Sequence, residues 1–522
     1  MVKCRQAKQK GIPAMYPSYE SILPLGDLGS RLALLYGRMS APIYRPDRIF
    51  TIEQSGWPGD WEGRTLLAQT LLSRAMHREH PYLRLNFDAI SSHLNEKGYM
   101  KHILPEGEFD EQQLSGHGWL LRGLCEYWEH SRDEAALAMA KRIFENLFLP
   151  LTDRMDSYPA GRTRGGAASG NIAAVIDGWH LSTDTGCVFI PMDGISRYLE
   201  ISGDARAEKL LRQMIGRFAG LDLLALKAQT HAGLSAVRGI LRLYKLTGDR
   251  ELMDIAVRVF DLYEKSGMTA AFANCNWFDR PEWTEPCAII DSFIVAMRLF
   301  EYTNEPRYAL FARKVYYNAV CRSQRDNGGF GGDNCPGWEN GGGDFLKTAF
   351  YEAFWCCTMR GGEGLPMAAR FIADEKDGCL RILLPVSAEV SVSSASGSVR
   401  ARLNGESARD GVLTVRVLEN TLPAHAKVRL LLPDGGFAEE ELPAAGGSVR
   451  FAWDTPLRLE KRRLMWGEIM LGSENAPAEI DVSALSRTAE GFEGENAKFV
   501  PLADSLYLEN GSKVLRVLFD GR

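Results

Sequence analysis

The chain has 522 residues, of which 45% are hydrophobic and 25% charged, and a formal net charge of -6. This composition excludes a disordered chain, and no window approaches the roughly 18 apolar residues of a membrane span. The negative balance, with no concentrated basic face, argues against a nucleic-acid binder.

The opening stretch, MVKCRQAKQKGIPAMYPSY, has basic residues but no apolar run behind them, so it does not read as a secretory signal. A cytoplasmic protein is expected if Met1 is the true start. The chain is too long for one compact core, and two or three domains are expected. Its ten cysteines are then expected as free thiols, most of them small buried hydrophobes. The stretch before residue 60 is expected to supply a first helix and a loop.

From about residue 60 to 373 the pattern is helical. GRTLLAQTLLSRAMH, from Gly63, and GHGWLLRGLCEYWEH, from Gly116, place apolar residues at helical spacing. A turn theme recurs as SRDE at Ser131, SGDA at Ser202, TGDR at Thr247 and TNEP at Thr303. In each, a small or polar pair closes one helix. Asp133, Asp204, Asp249 or Glu305 then stands near the start of the next, where a carboxylate suits the helix dipole. The spacing is too irregular for a strict solenoid. Helical hairpins with variable insertions predict a closed (α/α) toroid over residues 1–373, with its long loops gathered on one face. An open helical array is the alternative.

Near Asp374 the texture changes. CLRILLPVSAEVSVSSASGSVRARL, GVLTVRVLEN, KVRLLLP and GSVRFAW alternate apolar and polar residues. A β-sandwich region is predicted over 374–522, with RRLMWGEIMLGSE and KVLRVLFDG as its late strands.

Chemistry concentrates between residues 270 and 365. TEPCAIIDSF sets Glu285 and Cys287 two residues apart, just ahead of a helix. FWCCTMRGGEGL sets Cys356 and Cys357 side by side at a helix start. A glycine-rich loop, Arg325 to Phe345, lies between them. Zinc takes thiolates, imidazoles and carboxylates in a tetrahedron, and these four residues would supply such a set. Ordinary packed thiols are the competing reading.

These motifs resemble those of glycoside hydrolase family 127, the β-L-arabinofuranosidases. Glu285-Pro286-Cys287 matches that family's Glu-x-Cys, and Cys356-Cys357 its later Cys-Cys. HAGLSAVRGILRLYKLTGD, QLSGHGWLLRGLCEYWE and DGCLRILLPVSAEV resemble further family segments. The resemblance implies an (α/α)6 barrel followed by β-sandwich domains, with Zn2+ held by Glu285, Cys287, Cys356 and Cys357. It also implies a retaining, exo-acting glycosidase with Cys356 as nucleophile, releasing a terminal L-arabinofuranose-like sugar.

A retaining mechanism needs a proton donor. The family's glutamate before Glu-x-Cys has no counterpart here; Thr269 stands at the comparable distance. Asp279 and Glu282 are the nearest acids and are taken as candidate donors, with Asp333, Glu339 and Asp344 behind them. His231, Trp57, Asp60, His117 and His180 are the candidate sugar contacts, being aromatic or polar residues at or just ahead of helix starts. Cys275 and Cys335 are possible substitute ligands. The partner expected is a small glycan, with neither nucleic acid nor membrane; a homodimer is one oligomeric state left open. Two other functions compete: a hydrolase with structural zinc and a carboxylate pair such as Asp279 and Glu339, and a non-catalytic sugar-binding relative.

Overall fold

The computed structural model describes residues 16–50, 56–159, 170–405, 408–423, 425–494, 496–505 and 513–522. The opening segment read above for a leader, with Cys4, lies outside the described residues up to position 15.

Twelve helices of eight or more residues occur among the described residues. They are α1 (Gly26–Met39), α2 (Asp60–Ala75), α3 (Leu83–Ile90), α4 (Glu111–Ser131), α5 (Glu134–Ile143) and α6 (Pro191–Ser202). The remainder are α7 (Ala205–Ala219), α8 (Thr230–Thr247), α9 (Arg250–Ser266), α10 (Pro286–Thr303), α11 (Pro306–Val315) and α12 (Cys357–Arg370). They alternate between two layers. The even-numbered helices pack in a ring, α2 to α4 to α6 to α8 to α10 to α12 and back to α2, and the odd-numbered ones lie outside it. This is an (α/α)6 barrel.

Burial separates the layers. In α7, only Ala207, Leu210, Leu211, Met214, Ile215 and Phe218 are buried, one stripe at helical spacing. In α2, nearly every residue is buried, polar ones included, because neighbours stand on both flanks. Gly63 allows α2 and α4 to approach closely: a Cβ there would lie 2.2 Å from the Leu120 backbone nitrogen.

The recurrent turns have one construction. Arg132, Gly203, Gly248 and Asn304 take left-handed conformations, with φ of 59°, 66°, 70° and 58°. Asp133, Asp204 and Asp249 then cap the outer helix by accepting the amide hydrogens of Ala135, Arg206 and Glu251. Glu305 makes no side-chain cap; Pro306 opens that helix instead.

The strand-rich region begins at Ala373, shortly after α12. A five-stranded antiparallel sheet runs in the order Ile22–Pro24, Ala388–Ser394, Gly397–Asn404, Val412–Asn420, Ser448–Ala452. A four-stranded sheet, Phe437–Glu441, Lys427–Leu431, Cys379–Ile382, Ala373–Lys376, accompanies it. The first strand of the larger sheet comes from the N-terminal segment, where only a helix and a loop were expected. A three-residue edge strand is defined by its partner, Ala388–Val390, rather than by local pattern. From Leu457 a six-stranded sheet forms a second β unit with its own core, which includes Leu464, Trp466, Leu471, Phe492 and Phe519. The C-terminal Leu515–Arg516 returns to pair with Phe345–Leu346 of the glycine-rich loop. No helix among the described residues is long and apolar enough to cross a membrane.

Candidate active site

The even-numbered helices bring their N-termini to one mouth of the ring, and a cavity of about 700 Å³ opens there. Asp60 and Arg64 come from the first turns of α2, His231 from α8, Glu285 from the N-cap of α10, and Cys356 and Cys357 from the start of α12. Aligned helix N-termini carry partial positive charge, so thiolates and carboxylates are favoured at this end.

Three thiols and a carboxylate converge on the cavity floor. The Cys287 Sγ lies 3.2 Å from Cys356 Sγ and 3.9 Å from Cys357 Sγ. The Cys356 Sγ is 4.0 Å from Glu285 Oε1. Cys287, Cys356 and Cys357 place their sulfurs within 4.8 Å of one another, as His231, Glu285 and Cys287 do their ligand atoms. Tetrahedral thiolates around one zinc stand about 3.8 Å apart, given bonds of about 2.3 Å. Separations of this order and a soft, anionic donor set fit a zinc-type metal.

Cys356 differs from the other three. It is the N-cap of α12, at φ -142° and ψ -77°, and is partly exposed, whereas every other free cysteine among the described residues is buried. Hydrogen bonds from Cys287 and Cys357 pull its thiol well below the ordinary value, against burial, and Arg64 and His231 add to this. Burial pushes the Cys287 and Cys357 thiols up, and lifts the Glu285 carboxyl.

Arg64 is the cation beside the sulfurs. Its Nη1 donates to Cys287 Sγ at 3.3 Å, and its guanidinium lies 4.4 Å from the Trp119 ring centroid. Asp60 grips it with both oxygens, at 2.8 and 3.0 Å. Burial nevertheless raises Asp60 to about 6, against the pull of Arg64. His231 stacks parallel to Trp119 at 5.7 Å. Trp57, Trp61, Trp283, Phe350, Phe354 and the 45% exposed Trp355 supply aromatic wall, and Gln229, Asn276 and Asp184 supply polar wall. Asp184 accepts the Gly170 amide hydrogen at 2.8 Å.

Of the residues singled out from sequence, Trp57, Asp60, His231, Glu285, Cys356 and Cys357 line this cavity, with Cys287 just behind them. Asp279 and Glu282 do not reach it. Asp279 is 59% exposed beside Lys227, and Glu282 is held by Arg280. His117 is buried, accepting from the Met100 amide and donating to the Gln113 carbonyl, both at 2.8 Å. His180 pairs with Glu108 at 2.9 Å. Asp333 is locked to Arg322 and Arg325, Asp344 to Arg462 and Arg516, and Glu339 is exposed. Cys275 and Cys335 are buried off the cavity. Thr269, where the family donor would stand, is also buried away from it. Arg64 is the wall residue whose charge sequence spacing does not reveal; its signal is its place one turn after Asp60.

A ring of aromatic faces around carboxylates and amides is how proteins grip sugars, and this one stands over a reactive thiol; the class is a glycan-processing enzyme. The model of the Beta-L-arabinofuranosidase, GH127 catalytic domain, matches residues 97–370, more than half of the chain. The chain belongs to that family and is a glycoside hydrolase. Among solved structures it is similar to one described as a glycoside hydrolase, at 11% identity and a TM-score of 0.71, covering 99% of this chain and 98% of that one. It is also similar to a GH127 β-L-arabinofuranosidase from Geobacillus stearothermophilus T6, at 13% identity and a TM-score of 0.67, covering 96% and 100%. A further GH127 β-arabinofuranosidase aligns at 12% identity and a TM-score of 0.66 over 98% of each chain. No curated protein matches by sequence.

Proposed function

We propose that the protein is a retaining, exo-acting glycosidase that releases a terminal β-L-arabinofuranose-like sugar, with Cys356 as its nucleophile. The observation that carries this is the exposure of Cys356: of the three clustered thiols it is the partly exposed one, it lines the cavity, and it lies 3.2 Å from Cys287. Glu285, Cys287, Cys356 and Cys357 would hold zinc. The ion would supply the positive charge that keeps several adjacent thiolates ionised at neutral pH.

The chain's own groups account for the rest. The Cys356 sulfur attacks the anomeric carbon; a carbon–sulfur bond forms as the glycosidic carbon–oxygen bond breaks. The departing oxygen takes a proton from a wall carboxyl. That carboxylate then takes a proton from water, which displaces the sulfur and leaves the sugar with its original configuration. His231 and the aromatic wall orient the sugar.

Asp60 and Asp184 are the wall carboxyls outside the ligand set. Both oxygens of Asp60 are occupied by Arg64, so its role is to aim Arg64 at the sulfurs. Proton transfer is assigned to Asp184, replacing the donor that Thr269 cannot supply and that Asp279 and Glu282 are too distant to provide. Cys356→Ser tested on a panel of aryl glycosides checks the proposal. Turnover should fall by at least about 10³-fold with the fold intact; full activity would remove Cys356 from the role.

A further inference from the structure

Packing does not account for one aromatic residue of the catalytic cavity. All eleven tryptophans fall among the described residues, and Trp355 alone of them is exposed, at 45%. It lines the cavity and immediately precedes Cys356. The turn that carries it is anchored. Ala353 is buried, and its carbonyl accepts the Cys356 amide hydrogen at 3.2 Å. The Phe354 carbonyl accepts the Tyr44 hydroxyl at 2.9 Å, and the Phe354 ring lies 5.7 Å from Trp61. Among the described residues, Trp355 packs into neither hydrophobic core. Its ring meets Phe354 at 4.7 Å and 88°, a perpendicular contact that covers one face at most. A single exposed apolar side chain needs no explanation by itself. This one stands on a fixed turn at the mouth of a reactive site, one residue from the thiol.

The direction of the reaction decides which part of a substrate would meet that ring. Cys356 attacks from the cavity floor, and displacement at carbon runs in line. The leaving oxygen therefore departs on the side away from the sulfur, toward the mouth. The sugar being released sits on the floor, against the sulfurs and His231, and whatever is joined to the leaving oxygen emerges past the exposed rim. The cavity has room for it: about 700 Å³ is a volume that takes drug-sized ligands, more than one pentose fills. An open indole face in this place suits the apolar face of a second sugar ring.

Resting on the retaining, exo-acting reading above, we propose that Trp355 is the platform of a leaving-group subsite. The sugar ring joined to the departing oxygen stacks on it, and the substrate class is an oligosaccharide rather than a glycoside of a small alcohol. The test compares two substrates with the same released sugar: methyl β-L-arabinofuranoside, and a disaccharide in which that sugar is joined to L-arabinose. Both leaving groups are alkanols, so the pair differs chiefly in the second ring. Trp355→Ala should lower kcat/KM for the disaccharide at least about ten-fold more than for the methyl glycoside, mainly through KM. Trp355→Phe, which keeps an aromatic face, should restore most of the difference. Thermal midpoints report folding, and if Trp355→Ala does not fold, Trp355→Gln carries the same expectation. Equal losses on the two substrates, no loss on either, or a loss that Trp355→Phe does not repair would overturn the subsite and leave the glycosidase reading standing. Wild-type enzyme that cleaves neither substrate would overturn that reading and the subsite with it.

Discussion

Nδ1 of His231 lies 2.6 Å from Oδ2 of Asp291, inside the inner ring and beneath the catalytic cavity. Arg64 Nη2 approaches the other ring nitrogen at 3.4 Å, so Nε2 accepts and the proton sits on Nδ1, donated to Asp291. Burial pushes the His231 imidazole toward its neutral form although Asp291 opposes it. Asp291 is also shared by Arg238 at 2.7 Å and Arg360 at 2.5 Å. Burial works to raise its carboxyl, but Arg360, His231 and Arg238 outweigh it and hold it well below the usual carboxylate range.

Asp291→Asn should therefore act on stability and on the site together. Removing a shared buried counter-charge from two arginines is expected to cost about 3–5 kcal/mol. The freed imidazole should also raise KM more than it lowers kcat. Urea unfolding and steady-state kinetics check this; a variant as stable as wild type would contradict it.

The proton-transfer assignment separates by leaving group. Asp184→Asn should lose most activity on aryl glycosides with poor leaving groups and keep much of it on those with acidic phenols, a contrast of about 10²-fold or more. Asp60→Asn should lose activity on both, because it releases Arg64 from the sulfurs. Leaving-group dependence in Asp60→Asn instead would reverse the two roles.

His117 gives a pH test. Burial lowers it to about 4. Its folded value is thus depressed below the unfolded value of about 6.5, so stability is lost as pH falls from about 6.5 to about 4, in total about 3 kcal/mol. The loss of stability from pH 7 to pH 5 in urea melts should be smaller in His117→Gln than in wild type by nearly one proton's linkage. Equal slopes would show that His117 is not the buried neutral group described above.

Metal content is a test independent of turnover. The purified chain should hold about one zinc, lost on chelation or in Cys287→Ser, with a lowered thermal midpoint. A metal-free, fully stable protein, or one in which Cys287→Ser changes neither quantity, would contradict the ligand assignment.

Much of this architecture is local in origin and was legible. The turns at Ser131, Ser202, Thr247 and Thr303 carry their own capping chemistry, and they mark where outer helices start. Glu285, Cys287, Cys356 and Cys357 are legible because both motifs fall at helix starts, which the ring then gathers. Arg64 and Asp291 are a different matter. Their roles arise from partners 53 to 223 positions away, fixed only when six helices close, and no spacing encodes that. Proximity in sequence misled for the same reason: Asp279 and Glu282 sit a few residues from Glu285, yet the chain turns outward there, with Asp279 at φ 52°. His117 and His180 do not stand at helix starts as His231 does: His117 lies inside α4 and His180 on the strand Trp179–Ser182, and they bond to Met100, Gln113 and Glu108 instead.

The central claim is that the Cys356 sulfur forms the bond to the sugar. The most direct measurement is peptide mass mapping of enzyme quenched in acid during turnover of an aryl β-L-arabinofuranoside with a highly activated leaving group. A pentosyl increment on the peptide carrying Cys356, absent in Cys356→Ser, is the predicted result. An increment on a peptide carrying Asp60, Asp184 or Glu285, with Cys356 unmodified, would contradict it.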